Sequence, residues 1–295
     1  MAEHNAKAMD QLRVERNKLY LVTGGSGFLG RPLVEYITTQ GAFARVLARS
    51  ECALIYLKED YPDVEILTGD VSDKFSVRQA IQGVHGIFHL AAFKQVGLAE
   101  TQPVECIRSN VLGSLNVYEE ALNYDVHFIL AISTDKAVQI NGVYGASKFL
   151  MERICQQFQT LNPSCAYRLV RYGNVLYSTG SVLCKWQKLI TEGKKVVVTD
   201  PSATRFFWSI DQAIELIDHC LLYAKDCSPY CPTMRSIKIA DLLQAMIEKY
   251  SNGQEIEIEE IGLQPGENMH EKILEEGPYS NEVEQFTVEE IKVLI

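Results

Sequence analysis

Short apolar runs alternate with longer stretches whose apolar residues recur every three or four positions. The first run, at 18–23, predicts a strand. A glycine-rich turn follows, and then helical spacing over 29–40 that stops at Gly41. Further strands are predicted at 44–48, 64–67, 86–92, 126–133 and 167–172, with helices at 76–82, 110–124 and 144–161. Strand and helix in alternation predict a parallel sheet with helical crossovers. Beyond 175 the pattern loosens, to helical spacing at 182–192, 211–223 and 237–250 and strand-like runs at 195–199 and 255–261. Residues 1–17 read as an N-terminal extension, poorly packed or loosely helical. The expected organisation is α/β: a Rossmann-type doubly wound parallel sheet over 18–175, then a smaller C-terminal substrate-binding lobe over 176–295. About 206–225 is expected to return to the Rossmann core. No internal repeat or low-complexity linker interrupts this order.

With 295 residues and 47% hydrophobic content, the chain can bury one large core plus a smaller one. A net charge of -10 argues against nucleic acid or an anionic membrane as partner. No apolar run reaches the roughly 20 residues of a membrane span. The polar, mixed-charge N-terminal stretch lacks the apolar core of a secretion signal, so the expectation is a cytoplasmic protein without membrane contact. The eight cysteines are scattered and form no C-x-x-C pair. Cys220, Cys227 and Cys231 have only the adjacent His219 for company, so free thiols and no metal are expected.

Gly24, Gly27 and Gly30 lie between the first strand and the first helix as G-x-x-G-x-x-G, a variant of the dinucleotide fingerprint. In such a turn the first glycine allows the sharp bend, the second lets backbone approach a pyrophosphate, and the third lets the helix pack close. The helix N-terminus supplies free N–H groups. Cofactor contacts are therefore expected from Gly24, Ser26, Gly27, Phe28, Leu29 and Gly30. An acid at the end of the second strand would hold the ribose of NAD. Arg49 and Ser50 stand there instead and favour the 2′-phosphate of NADP, with Glu51 as the opposing feature. Asp70 and Val71 are placed to touch adenine, although Asp70 also suits a plain turn. Ala91, Ala92 and Lys94 follow the fourth strand, where a loop faces cofactor and substrate.

Tyr144 and Lys148 lie one helical turn apart on one face. A nearby cation stabilises phenolate, so the tyrosine can act as a base on an alcohol whose hydride leaves for a nicotinamide. Thr134, Asp135 and Lys136 come eight residues earlier and add an acid and a second base. That surplus points to a second chemical step after oxidation. The plainer alternatives are a capping role for Asp135 and a solvated charge for Lys136.

Together with His89-Leu-Ala-Ala-Phe-Lys94, Cys106-Ile-Arg-Ser-Asn110, Arg171-Tyr-Gly-Asn-Val175, Thr204-Arg-Phe206, Gln264-Pro-Gly-Glu267 and His270-Glu271, these motifs resemble the extended short-chain dehydrogenase/reductase superfamily. Within it the chain looks like the configuration-inverting UDP-N-acetylglucosamine 4,6-dehydratases, over about 19–273. The resemblance implies that Tyr144, assisted by Thr134 and Lys148, takes the proton of the sugar 4-hydroxyl as hydride passes to NADP. The new ketone acidifies C-5. Lys136 then removes the C-5 proton, Asp135 protonates the departing 6-hydroxyl, and hydride returns to C-6. It also implies that Lys94, Asn174, Arg205 and Glu267 contact the UDP-sugar substrate, that His270 is a packing residue more than a catalyst, and that the protein forms a homo-oligomer. Gln264 and Asn268 replace a family arginine and lysine. Gln95 and Gly97 replace a histidine and a proline, and Gln139-Ile140 replaces Asn-Pro. These departures bear on which nucleotide sugar is used. A 4-epimerase or reductase of the same superfamily and a non-catalytic NADP-sensing protein remain the alternatives. The first needs no Asp135–Lys136 pair, and the second can lose Tyr144 or Lys148.

Overall fold

Seven parallel strands form the centre of the computed structural model, which describes residues 12–295. Residues 1–11 of the expected N-terminal extension lie outside the described residues. In chain order the first elements are β1 (Leu19–Thr23), α1 (Gly30–Thr39), β2 (Phe43–Ala48), α2 (Glu51–Asp60), β3 (Glu65–Thr68), α3 (Lys74–Ile81) and β4 (Gly86–His89). Helices α4 (Val96–Thr101) and α5 (Pro103–Ile107) lead through a π-helical turn (Arg108–Leu112) into α6 (Gly113–Ala121). Strand β5 (Phe128–Thr134) ends in a 3-10 turn (Asp135–Ala137), followed by α7 (Val143–Leu161) and β6 (Ala166–Tyr172). The rest comprises β7 (Asn174–Val175), α8 (Val182–Thr191), β8 (Val196–Val198), β9 (Thr204–Trp208), α9 (Ile210–Tyr223), β10 (Pro229–Tyr230), β11 (Ser236–Lys238), α10 (Ile239–Tyr250), β12 (Ile258–Glu260) and α11 (Val288–Leu294).

The sheet order is β3-β2-β1-β4-β5-β6-β10, with every neighbouring pair parallel. This is the Rossmann order. It reverses between β1 and β4, so the crevice for a ligand opens above the C-terminal ends of those strands. Helices cover both faces. Tyr20, Val22, Phe88 and Leu130 pack with Leu33 and Ile37 of α1 and with Leu216 and Ile217 of α9. Leu21, Ile87 and Ile129 face the opposite way, onto Val77, Val117, Tyr118 and Met151. Burial on both faces is why the central strands read as continuous apolar runs rather than alternating ones. Helix α9 thus brings residues from late in the chain onto the first core. A separate cluster, including Trp186, Ile190, Leu242, Met246 and Ile291, holds the C-terminal lobe together.

Several elements carry too weak a local pattern to be predicted. Helix α2 buries only Leu54 and Leu57, and Ile55 and Tyr56 face solvent, so no clean apolar stripe marks it. Strand β9 is too short to show a period, yet all five of its residues are buried. Residues 12–17 form no helix. Val14 is buried in the sheet core, the Glu15 N–H donates to the Tyr20 hydroxyl (2.8 Å), and the Asn17 N–H donates to the Gly41 carbonyl (2.9 Å).

One buried ion pair ties the sheet to the lobe. The Arg171 guanidinium on β6 forks onto Glu152 of α7 (2.8 and 2.6 Å) and also donates to the Ile273 carbonyl (2.9 Å) and Glu275 (3.0 Å). Removing one partner of a buried pair strands the other charge. Arg171→Met is therefore expected to cost about 3–5 kcal/mol in urea unfolding, with part recovered by adding Glu152→Leu. A loss below about 1 kcal/mol, the range of an exposed pair, would show that this contact does not join the two parts.

Candidate active site

Strand β1 delivers Thr23 to the crevice, and the chain turns at Gly24 with φ +71°, where an added Cβ would lie 3.0 Å from the Ala91 backbone. At Gly30 an added Cβ would fall 2.5 Å from the Gly24 carbonyl oxygen, so only glycine lets α1 pack onto the turn. Around Gly27 only that same carbonyl lies near, at 3.1 Å, which leaves the other side open. Helix α1 has no side-chain N-cap and no acid in its first turn. Its first N–H groups are thus unclaimed by a side chain, as an anion site requires.

A cavity of about 700 Å³ runs from this turn to the end of α7. One end is lined by Gly24, Ser26, Gly27, Phe28, Leu29, Gly30, Arg49, Ser50, Asp70, Val71, Ala91, Ala92 and Lys94. The other end is lined by Thr134, Asp135, Lys136, Tyr144, Lys148 and Asn174. Arg49 is two-thirds exposed, with its guanidinium 3.8 Å from the Asp70 carboxylate. The Ser50 hydroxyl accepts from the Ala53 N–H and caps α2, and Asp70 accepts from the Ser72 N–H (2.8 Å) in its own turn. Burial pushes the Lys94 ammonium down.

Helix α7 packs directly against the 3-10 turn, since a Cβ at Gly145 would collide with the Lys136 carbonyl. The Glu100 carboxylate accepts from the Val143 N–H (2.7 Å) and supplies the cap that Gly142 lacks. This docking brings the Tyr144 phenol to the Thr134 hydroxyl. Burial raises the phenol above its ordinary value. The nearby Thr134 hydroxyl opposes the rise and Asp135 adds to it. Lys148 donates to the Ile132 carbonyl (2.5 Å), and burial brings its ammonium down to about 8 against the pull of Glu152. The net direction for the phenol is upward, because desolvation outweighs what lowers it.

Asp135 is 2% exposed and receives the Thr134 hydroxyl on Oδ1 (2.9 Å), while its Oδ2 has no hydrogen-bond partner. Burial is the largest influence on this carboxyl and pushes it up. Lys136, Thr134 and Arg205 pull down, Glu271 pushes up, and the net direction is up. Such a carboxyl holds its proton to higher pH, which suits a general acid. The Lys136 ammonium lies 3.6 Å from Asp135 Oδ2 and 2.5 Å from Glu271 Oε1.

Two expected substrate contacts lie off the cavity wall. Arg205 is buried, and its Nη1 donates to the Thr204 and Met269 carbonyls (2.9 and 3.0 Å). Glu267 accepts from the Gln264 N–H (3.1 Å) and closes its own turn. Both are committed to holding the lobe's backbone. His270 bonds Thr204 Oγ1 (2.8 Å).

The structure also assigns places to residues that sequence reasoning left without a role. Asn110, in the π-helical turn, accepts from the Phe93 N–H (2.7 Å) and donates to the Phe93 carbonyl (2.9 Å) and Ser147 Oγ (2.9 Å), which fixes the loop after β4. His89 spans Thr23 Oγ1 and Ser114 Oγ, both at 2.8 Å, and burial lowers it to about 3, so it stays neutral. Gln95, Val96, Ser178, Ser181, Leu183 and Phe207 complete the wall, and only Ser133 among the other lining polar groups has an unpartnered buried hydroxyl in the Thr134 segment. Cys220 is buried near the Leu169 carbonyl, and Cys227 lies 2.9 Å from Cys155. Among the described residues no group of three His, Cys, Asp or Glu could hold a metal ion, and no helix is long and apolar enough to cross a membrane.

The profile of a family described as "Polysaccharide biosynthesis protein" matches residues 20–292. A protein of Methanocaldococcus jannaschii named an uncharacterized membrane protein is 38% identical, covering 90% of this chain and 84% of that one. A UDP-glucose 4-epimerase of Rickettsia akari is 32% identical, over 88% and 78%. An inverting UDP-N-acetylglucosamine 4,6-dehydratase of Campylobacter jejuni is 30% identical, over 86% and 76%. The X-ray structure of Pen from Bacillus thuringiensis superposes with a TM-score of 0.91 at 29% identity, covering 96% of this chain and 98% of that one.

Proposed function

The chain belongs to the polysaccharide biosynthesis protein family, enzymes of the extended short-chain dehydrogenase/reductase class that dehydrate or epimerise nucleotide sugars, and on that basis we propose that it is a 4,6-dehydratase of UDP-N-acetylglucosamine, inverting at C-5. The observation that carries this reading is the buried Asp135–Lys136 pair in the same cavity as Tyr144 and Lys148. An epimerase needs only the tyrosine and lysine, whereas a dehydratase needs a second acid and a second base.

The cradle fits a nicotinamide dinucleotide, because the turn at 24–30 is closed by glycine on the protein side, open at Gly27 and backed by the uncapped α1. Gly24, Ser26, Gly27, Phe28, Leu29 and Gly30 would hold the pyrophosphate. Arg49 and Ser50 would hold the adenine ribose, with Asp70 and Val71 beside the adenine and Ala91, Ala92 and Lys94 along the far half. Arg49 in place of an acid at the end of β2 supports NADP. When bound, this group accepts hydride from the sugar and returns it within one turnover.

Tyr144 takes the 4-hydroxyl proton, with Thr134 and Lys148 lining the same part of the cavity. Lys136, as the neutral amine, takes the C-5 proton, made acidic by the adjacent ketone, and becomes the ammonium that Glu271 pairs with. Asp135, whose carboxyl burial pushes up, gives its proton to the leaving 6-hydroxyl. Lys94 and Asn174, which both line the cavity, hold the sugar nucleotide.

The test is incubation with UDP-N-acetylglucosamine and NADP in D₂O, followed by NMR of the product. The expected product is a 4-keto-6-deoxy sugar with deuterium at C-5 and the L-arabino configuration. The same product with C-5 retained would remove the inversion. A product with its 6-hydroxyl intact and no 4-keto group would point to the second reading, 4-epimerisation, which the name of the Rickettsia relative favours.

A further inference from the structure

Lys136 has a flexible four-carbon stem, and a base that must meet one C–H bond needs that stem held. Its two charged neighbours are Asp135 at 3.6 Å and Glu271 at 2.5 Å. Glu271 is 135 residues away in the chain, in the irregular segment between β12 and α11, and is fully buried. A carboxylate there is costly unless it is paired and hydrogen-bonded. Here both oxygens are engaged. Oε1 meets Lys136 and lies 3.7 Å from Arg205 Nε, and Oε2 accepts from Asn268 Nδ2 (3.2 Å). The backbone is fixed as well, since the Glu271 N–H donates to Ser280 Oγ (2.9 Å) and the Glu271 carbonyl accepts from the Ser280 N–H (2.8 Å). Glu271 does not line the cavity, whereas Asp135 and Lys136 do.

We propose that Glu271 is a positioning residue for the elimination step, holding the Lys136 amine in line with Asp135 and the C-5 proton from the lobe side. The assignment rests on the dehydratase reading above. It gives the C-terminal lobe a part in the chemistry: the lobe carries the anchor for a base whose backbone belongs to the Rossmann sheet. Glu271 also acts on the acid. The groups facing Asp135 are Lys136, Arg205, Glu271, Tyr144, Cys231 and the Thr134 hydroxyl. Of the two influences that raise Asp135, burial and the Glu271 charge, only the second can be removed by an isosteric change. Glu271→Gln lowers the Asp135 carboxyl, so the protonated form is lost at lower pH.

The experiment compares wild type, Glu271→Gln and Glu271→Asp in single turnovers with UDP-N-acetylglucosamine and NADP in D₂O. Melting temperature and NADP binding report folding. In Glu271→Gln, oxidation at C-4 is expected to persist, seen as accumulating reduced nicotinamide absorbance. Deuterium entry at C-5 and 6-deoxy product are expected to fall roughly 100-fold, the scale of one misplaced general base. KM is expected to stay within a few-fold, and the alkaline limb of kcat/KM to move to lower pH. Glu271→Asp keeps the charge and is expected to restore part of the rate. A Glu271→Gln protein that dehydrates like wild type, or a folded one in which oxidation and elimination fall together, overturns the assignment and leaves the dehydratase reading standing. Loss of folding in both variants makes Glu271 structural and overturns it too. A wild type that yields no 6-deoxy product overturns the dehydratase reading and this inference with it.

Discussion

Tyr144→Phe is expected to lower the rate of C-4 oxidation by about 10³-fold or more, and with it every later event, because elimination cannot begin without the ketone. The phenol lines the cavity near Thr134, whose own hydroxyl donates to Asp135. Asp135 is not expected to substitute, since a carboxylate is a far weaker base than a phenolate. Phenylalanine keeps the ring, so folding and NADP binding should hold, and single-turnover absorbance of reduced nicotinamide is the readout. A variant that keeps a tenth of the wild-type rate would move the base elsewhere.

The pH dependence follows from the same geometry. Burial raises the phenol, so its basic form grows as pH rises. Burial brings Lys148 to about 8, so the cation beside the phenol is present below that pH and lost above it. Lys148→Met removes the cation at all pH values. It should therefore shift the rising limb of the oxidation rate to higher pH.

Lys136→Met is expected to separate the two halves of the reaction. Oxidation at C-4 continues, while C-5 deuterium exchange and 6-deoxy product fall by about 10²–10⁴-fold. The substitution also removes the charge that pulls Asp135 down, so the acid stays protonated and the loss is attributable to the base. The signature is reduced nicotinamide that forms and persists, with no 6-deoxy sugar in the NMR spectrum. Wild-type dehydration by this variant would leave the Asp135–Lys136 pair a structural feature and shift the reading to epimerisation.

The chemistry of the site was more legible in the sequence than its supports. The glycine turn, the Tyr144–Lys148 spacing and the Thr134–Asp135–Lys136 run are local features, and each line of residues reaches the cavity wall. Arg205 and Glu267 were also singled out by motif, but their side chains serve the lobe's own backbone. Asn110 and His89 lay within recognised motifs without a role, because their partners, Phe93, Ser147, Thr23 and Ser114, come from other elements. Nothing periodic marks Gln95, Ser178 or Phe207 as cavity residues. Helix α2 escaped notice for want of an apolar stripe, and β9 for want of length.

By itself the sequence determined the alternation that makes a parallel sheet, the phosphate cradle and the two acid–base groups. Helical pitch, strand polarity and the absence of a Cβ act between near neighbours, so spacing is enough to specify them. Only the tertiary structure decided which charges meet. It paired Lys136 with Glu271, locked Arg171 between Glu152 and Glu275, gave Arg205 Nη1 to the Thr204 and Met269 carbonyls, and took enough water from the Tyr144 phenol for desolvation to raise it. The physical reason is that the energy of a charge depends on how much water the whole fold removes from it and on which distant groups replace that water. Packing sets both, and local spacing encodes neither.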